Sequence, residues 1–110
     1  MSEQLRKEAD FVVLGEKLRA NKEHPPYFNS PHEGYAVLQE EYEEASEELR
    51  YFKAQLDSLW IAIRHDREKD VLLRILASAR EHATNLVMES IQVAAMVEKM
   101  VDTVGGMSDG

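Results

Sequence analysis

Ser30–Glu48 reads SPHEGYAVLQEEYEEASEE, and the helix it starts decides the fold. Ser30 offers a capping hydroxyl, Pro31 stands at the first helical position, and Glu33 lies three residues after the cap, the spacing of a capping box. Six glutamates then fall between Glu40 and Glu48. Like charges one turn apart repel by about 0.2–0.5 kcal/mol per pair, so the run weakens the helix that carries it. Two readings compete: a well-solvated surface, or a site for a divalent cation and the phosphates it carries.

Downstream of Pro31, Tyr35, Leu38, Tyr42, Ala45, Leu49, Phe52, Leu56, Leu59 and Ile63 recur in alternating steps of three and four. This is a heptad seam, and it predicts one helix over residues 31–65. His65 to Asp70 is polar and predicts a turn, with Asp66 as the cap of the next helix. That helix is expected over 67–104, with Leu72, Leu76, Ala79, Ala83, Leu86, Ser90, Val93, Val97 and Val104 as a second seam. Gly105-Gly106 ends it and residues 105–110 form a loose tail. Upstream, Leu5, Ala9, Val12, Val13 and Leu18 predict a first helix over 3–22, with Gly15 a weak point. His24-Pro25-Pro26 breaks it. Tyr27 and Phe28 are expected to pin the loop onto a core, with base stacking as the alternative.

The 110 residues make one domain with one ordinary core. The fold class is all-α, an antiparallel helical bundle. A helix of 35 residues is about 50 Å long, whereas a compact domain of this size has a radius of gyration near ~13 Å. Two such helices therefore predict an apolar stripe that is covered only when chains associate.

A net charge of −8 argues against a nucleic-acid backbone or an anionic membrane as partner. The chain has no cysteine, which excludes disulfides, thiolate–zinc sites and a thiol nucleophile. No apolar run reaches the ~20 residues of a membrane span and the first residues carry no signal-peptide core, so a soluble, cytoplasmic protein is expected. There is also no Gly-rich phosphate loop and no nucleophile–base arrangement.

Glu41, Glu44 and Glu48 share a line beside the first seam, and His82, Asn85, Glu89, Gln92 and Lys99 share one beside the second. If the seams face each other, both lines meet at a half-buried boundary, where carboxylates need a compensating partner. Several carboxylate oxygens with an amide and water match the hard-oxygen preference of Mg²⁺. Glu40, Glu43 and Glu47 point away and fit the solvated-surface reading. Glu89 fits it poorly, being the only carboxylate between Glu81 and Glu98. His82, His32, Trp60 and the methionines are more simply read as interface, capping and core residues.

These residues resemble a family. Glu40-Glu41-Tyr42-Glu43-Glu44 is similar to the EExxE signature of the MazG-like all-α nucleoside triphosphate pyrophosphohydrolases. Met88-Glu89-Ser90-Ile91-Gln92 with the small and apolar residues after it resembles their second motif, ExxD. Ser30 to Tyr35 resembles the lead-in of MazG-like proteins of bacteria and their phages. The likeness covers about a third of the chain. It implies hydrolysis of a nucleoside triphosphate or related nucleotide to the monophosphate and pyrophosphate, with Mg²⁺ (or Mn²⁺) as cofactor, in a homodimer or homotetramer. By position, Glu41, Glu44 and Glu89 would be catalytic and metal-binding. Gln92 takes the fourth ligand position, where the family has aspartate, and Glu48, one turn past Glu44, is the candidate to restore that charge. Lys99, His82 and Asn85 are the weaker candidates for substrate phosphate. The inter-motif spacing is longer than the family's, and the first helix has no counterpart there. The alternative is a non-catalytic helical binding or assembly protein on the same scaffold.

Overall fold

The computed structural model describes residues 2–108. Three helices follow in order, α1 (Glu3–Glu23), α2 (Pro31–Arg64) and α3 (Lys69–Gly105), and no strand occurs among the described residues. The all-α expectation holds, and each helix bound lies within two residues of its predicted place. Residues 109–110 of the expected tail lie outside the described part. Contacts group the chain into two compact units, Met1–Tyr42 with Ser90–Gly110, and Glu43–Glu89. α2 and α3 each run unbroken through both.

Local signals explain the helix ends. The Ser2 hydroxyl accepts the Leu5 N–H at 3.1 Å and starts α1. The Ser30 hydroxyl accepts the Glu33 N–H at 3.1 Å, so the expected cap of α2 forms, and the Glu33 carboxylate takes Asn29 Nδ2 at 2.8 Å. The turn between α2 and α3 corrects one expectation: Asp66 does not cap α3, which begins at Lys69. Asp66 has φ +50°, with its N–H on Ile63 O at 3.1 Å, and the Arg67 N–H reaches Ala62 O at 3.0 Å. This is a Schellman closure of α2, in which aspartate takes the left-handed position that glycine usually fills. The chain therefore turns without a glycine or proline.

In the first unit, Phe28 pins the loop. It is 6% exposed, and its N–H donates to Thr103 Oγ1 at 2.9 Å, while that hydroxyl donates to Lys99 O at 2.8 Å. Lys99 Nζ stands 4.5 Å above the Phe28 ring. Gly34 leaves room beside it, since a Cβ there would press on Met100 Sδ and lie 3.0 Å from Phe28 Cδ2. Burying a phenylalanine stabilises by about 1.5–3 kcal/mol, so this corner holds the unit. Tyr27 stays exposed and does not share the work. α1 buries no residue and attaches through Lys17 Nζ to Asp102 Oδ2 at 2.6 Å.

In the second unit, Ala62 and Ala79 are the buried apolar residues, and their small side chains let α2 and α3 approach closely. The seam of α2 differs from the expected one. Leu38, Ala45, Phe52 and Leu59 are covered as predicted, but they alternate with Gly34, Glu41, Glu48, Gln55 and Ala62. Tyr35, Tyr42, Leu49, Leu56 and Ile63 lie exposed on the flank. On α3 the covered alternation is Leu72, Ile75, Ala79, His82, Leu86, Glu89, Val93 and Met96, while Leu76, Ser90, Val97 and Val104 are exposed. The physical reason is that rows at heptad positions one residue apart lie only about 100° apart around a helix. An apolar count cannot say which of two such rows turns inward when a third apolar surface also needs cover.

Candidate metal centre

The rotation of the seam moves carboxylates inward. Glu44 and Glu89 belong to the second unit, and Glu41 precedes Glu44 by one turn of the same helix. Each offers a carboxylate oxygen, and the three oxygens lie within 4.8 Å of one another. Glu41 and Glu89 are half-buried and Glu44 is exposed, while Glu41 Oε2 is fully shielded from solvent. Burial raises the Glu89 pKa above the ordinary carboxylate range, and Glu44, which hydrogen-bonds it, and Glu48 push it further the same way. A charged Glu89 is thus disfavoured here unless a cation is supplied.

The donor set fits a hard divalent cation. Ligands ~2.1 Å from Mg²⁺ sit about 3 Å apart when adjacent and about 4 Å when opposed, so oxygens already inside 4.8 Å need little movement. Glu41, Glu44 and Glu89 would hold the ion.

The remaining expected site residues have further partners. Glu48 Oε2 lies 2.8 Å from His82 Nδ1, and since a carboxylate only accepts, the proton is on that nitrogen. Asn85 Nδ2 donates to the other Glu48 oxygen at 3.5 Å. The Tyr51 ring lies 5.2 Å from the His82 ring, centroid to centroid. Arg19 holds the Glu16 carboxyl of α1 below the ordinary range, and Gln92 on α3 lowers it further. Lys99 stands over Phe28. Helical spacing could not show the His82–Glu48 pair or the Gln92–Glu16 contact, because both join helices that are far apart in sequence. Glu16 and Lys17 were missed altogether, since they read as ordinary exposed charges of α1.

An open cleft of about 440 Å³ next to the pinned loop is lined by Tyr27, Phe28, Asn29, Ser30, Pro31 and Thr103. Among the described residues no helix is long and apolar enough to cross a membrane. No family model matches the chain, and no curated protein or solved structure matches it either.

Proposed function

We propose that the protein is a Mg²⁺-dependent nucleotide pyrophosphohydrolase acting as a homo-oligomer, with Glu41, Glu44 and Glu89 as its metal ligands. The observation that carries this reading is the meeting of the isolated Glu89 with two glutamates of α2 within 4.8 Å. The likeness of the two motifs to those of MazG-like enzymes supplies the reaction class. A bound Mg²⁺ neutralises phosphate charge and orients the attacking water, which is most of what phosphoryl chemistry asks of a protein. The chain's part is to hold three carboxylates in register on two helices, partly shielded from water, so that charge is presented on one side only. Glu48, fixed by His82 and Asn85, adds negative potential beside Glu89.

The test is a panel of nucleoside triphosphates with Mg²⁺ or Mn²⁺, scored for pyrophosphate. Release that is lost in Glu89→Gln supports the reading. Metal binding without release for any nucleotide favours the second reading, a non-catalytic scaffold. One observation favours that second reading: Gln92 faces Glu16 and brings no charge to the site. Gln92→Asp would set a new carboxylate beside Glu16, so a gain in hydrolysis is expected only when Glu16→Gln accompanies it.

A further inference from the structure

Glu48 is held by both of its carboxylate oxygens. His82 Nδ1 donates to one at 2.8 Å, and Asn85 Nδ2 reaches the other at 3.5 Å. The Tyr51 ring, whose hydroxyl donates to Glu47, backs the His82 ring at 5.2 Å. The His82 and Glu48 side chains keep only 26% and 21% of their surface open. A pair so covered gives up hydration at both ends, and an apolar pair would join α2 to α3 without that cost. Beyond joining the helices, the pair fixes where the Glu48 carboxylate points.

That direction matters for the ion. Glu48 follows Glu44 by one turn of α2, and its charge is close enough to push up the Glu89 pKa. Yet the oxygens that meet within 4.8 Å belong to Glu41, Glu44 and Glu89, and Glu48 is not among them. The geometry points to a clamp: His82 and Asn85 hold Glu48 out of the metal shell, so that three carboxylates and not four take the ion. The clamp rests on the metal reading proposed above, and it makes His82 and Asn85 positioning residues. Side chains one turn apart on a helix start about 5–6 Å from each other, so a released Glu48 would reach an ion held by Glu44. Mg²⁺ demands a near-octahedral array of oxygens. With three carboxylates the site carries a net charge of about −1 and leaves positions for water and phosphate oxygens. A fourth would take one more position, bring the charge to about −2 and repel a polyphosphate.

The test is Mn²⁺ affinity, read from the electron spin resonance of the free ion in titrations of the chain and its variants. His82→Leu with Asn85→Leu frees Glu48 and should tighten binding about tenfold, the scale on which partners of metal ligands act. Glu48→Gln added to that pair should remove the gain. Glu48→Gln alone should weaken binding far less than Glu89→Gln does. His82→Gln keeps a donor for Glu48 and should bind as the wild type does. Pyrophosphate release by the leucine pair should fall although its metal is held more tightly, a split that loss of structure would not give. Unchanged or weaker affinity in the leucine pair overturns the clamp. So does a Glu48→Gln chain that binds as poorly as Glu89→Gln. If the leucine pair unfolds, nuclear magnetic resonance of the unaltered chain decides. The His82 Nδ1 proton, assigned through His82→Gln, should keep its hydrogen-bonded shift under saturating Mg²⁺, and its loss would show Glu48 leaving His82 for the ion. A wild-type chain that binds no Mn²⁺ sinks the metal reading and the clamp together. Binding that is lost in Glu89→Gln but not tightened in the leucine pair sinks the clamp alone.

Discussion

The two compact units of this chain are closed by different contacts. The unit of residues 1–42 and 90–110 closes on Phe28, Ala95 and the bare backbone of Gly34, with Thr103 satisfying the loop amide. The unit Glu43–Glu89 fully buries two alanines and partly covers Glu48, His82, Asn85 and Glu89. Its large side chains, Leu49, Leu56, Trp60 and Ile63, are spent on the outside. Apolar burial is the main source of stability, and half-buried carboxylates cost it. The first unit thus has an apolar corner pinned at Phe28, and the second holds a carboxylate, Glu89, whose charge burial opposes.

The largest expected effect breaks the first half of that contrast. Phe28→Ala should cost about 3 kcal/mol, seen as a lower denaturation midpoint with unchanged slope. A loss near zero would mean that the loop does not close the unit. Gly34→Ala should destabilise less, about 1–3 kcal/mol, according to how far Met100 and Phe28 can shift.

The second half is sharpened by Glu89. Its pKa is raised in the folded state, so the native protein holds the proton more tightly than the unfolded chain. The contribution of Glu89 to stability is then fully present below the ordinary carboxylate pKa and is lost as pH rises through the raised value. Glu89→Gln should flatten that decline and stabilise the metal-free protein at neutral pH by about 1 kcal/mol. Millimolar Mg²⁺ should raise the wild-type Tm and leave that of the variant unmoved, by mass action on the native state. Melting curves across pH and metal concentration check all three, and a Tm difference between wild type and Glu89→Gln that does not change with pH would contradict the burial of this carboxylate.

Two smaller changes test the frame. Gly15 lies mid-helix in α1 with open space where a Cβ would go, so Gly15→Ala should stabilise by about 0.5–1 kcal/mol. Asp66→Gly relieves the positive φ of the α2 closure and should stabilise by a few tenths of a kcal/mol at most, since glycine also gains freedom when unfolded. Chemical denaturation resolves the first. The second is best read from amide exchange at Arg67, whose N–H makes the closing bond.

Much of the frame is legible in the residues alone. The Ser30 cap with Pro31, the breaker His24-Pro25-Pro26 and the terminal Gly105-Gly106 are local signals, because hydrogen-bonding capacity and backbone freedom act within a few residues. Hence the three helices and their bounds. The pairing of Glu41 and Glu44 with Glu89 was also suggested by spacing, since residues one helical turn apart must share a side. Rotation about the helix axis was not legible. Rows 35–42–49–56–63 and 34–41–48–55–62 differ by one residue, and hydrophobicity alone favoured the first. Only the packed structure turns Glu41 and Glu48 towards α3, gives Glu48 to His82 and Gln92 to Glu16, and leaves the tyrosine and leucine row outside. The sequence by itself determined where the backbone coils, by interactions one turn long. Which side faces inward depends on the sum of contacts between segments 34 to 85 residues apart, and no single stretch contains that sum.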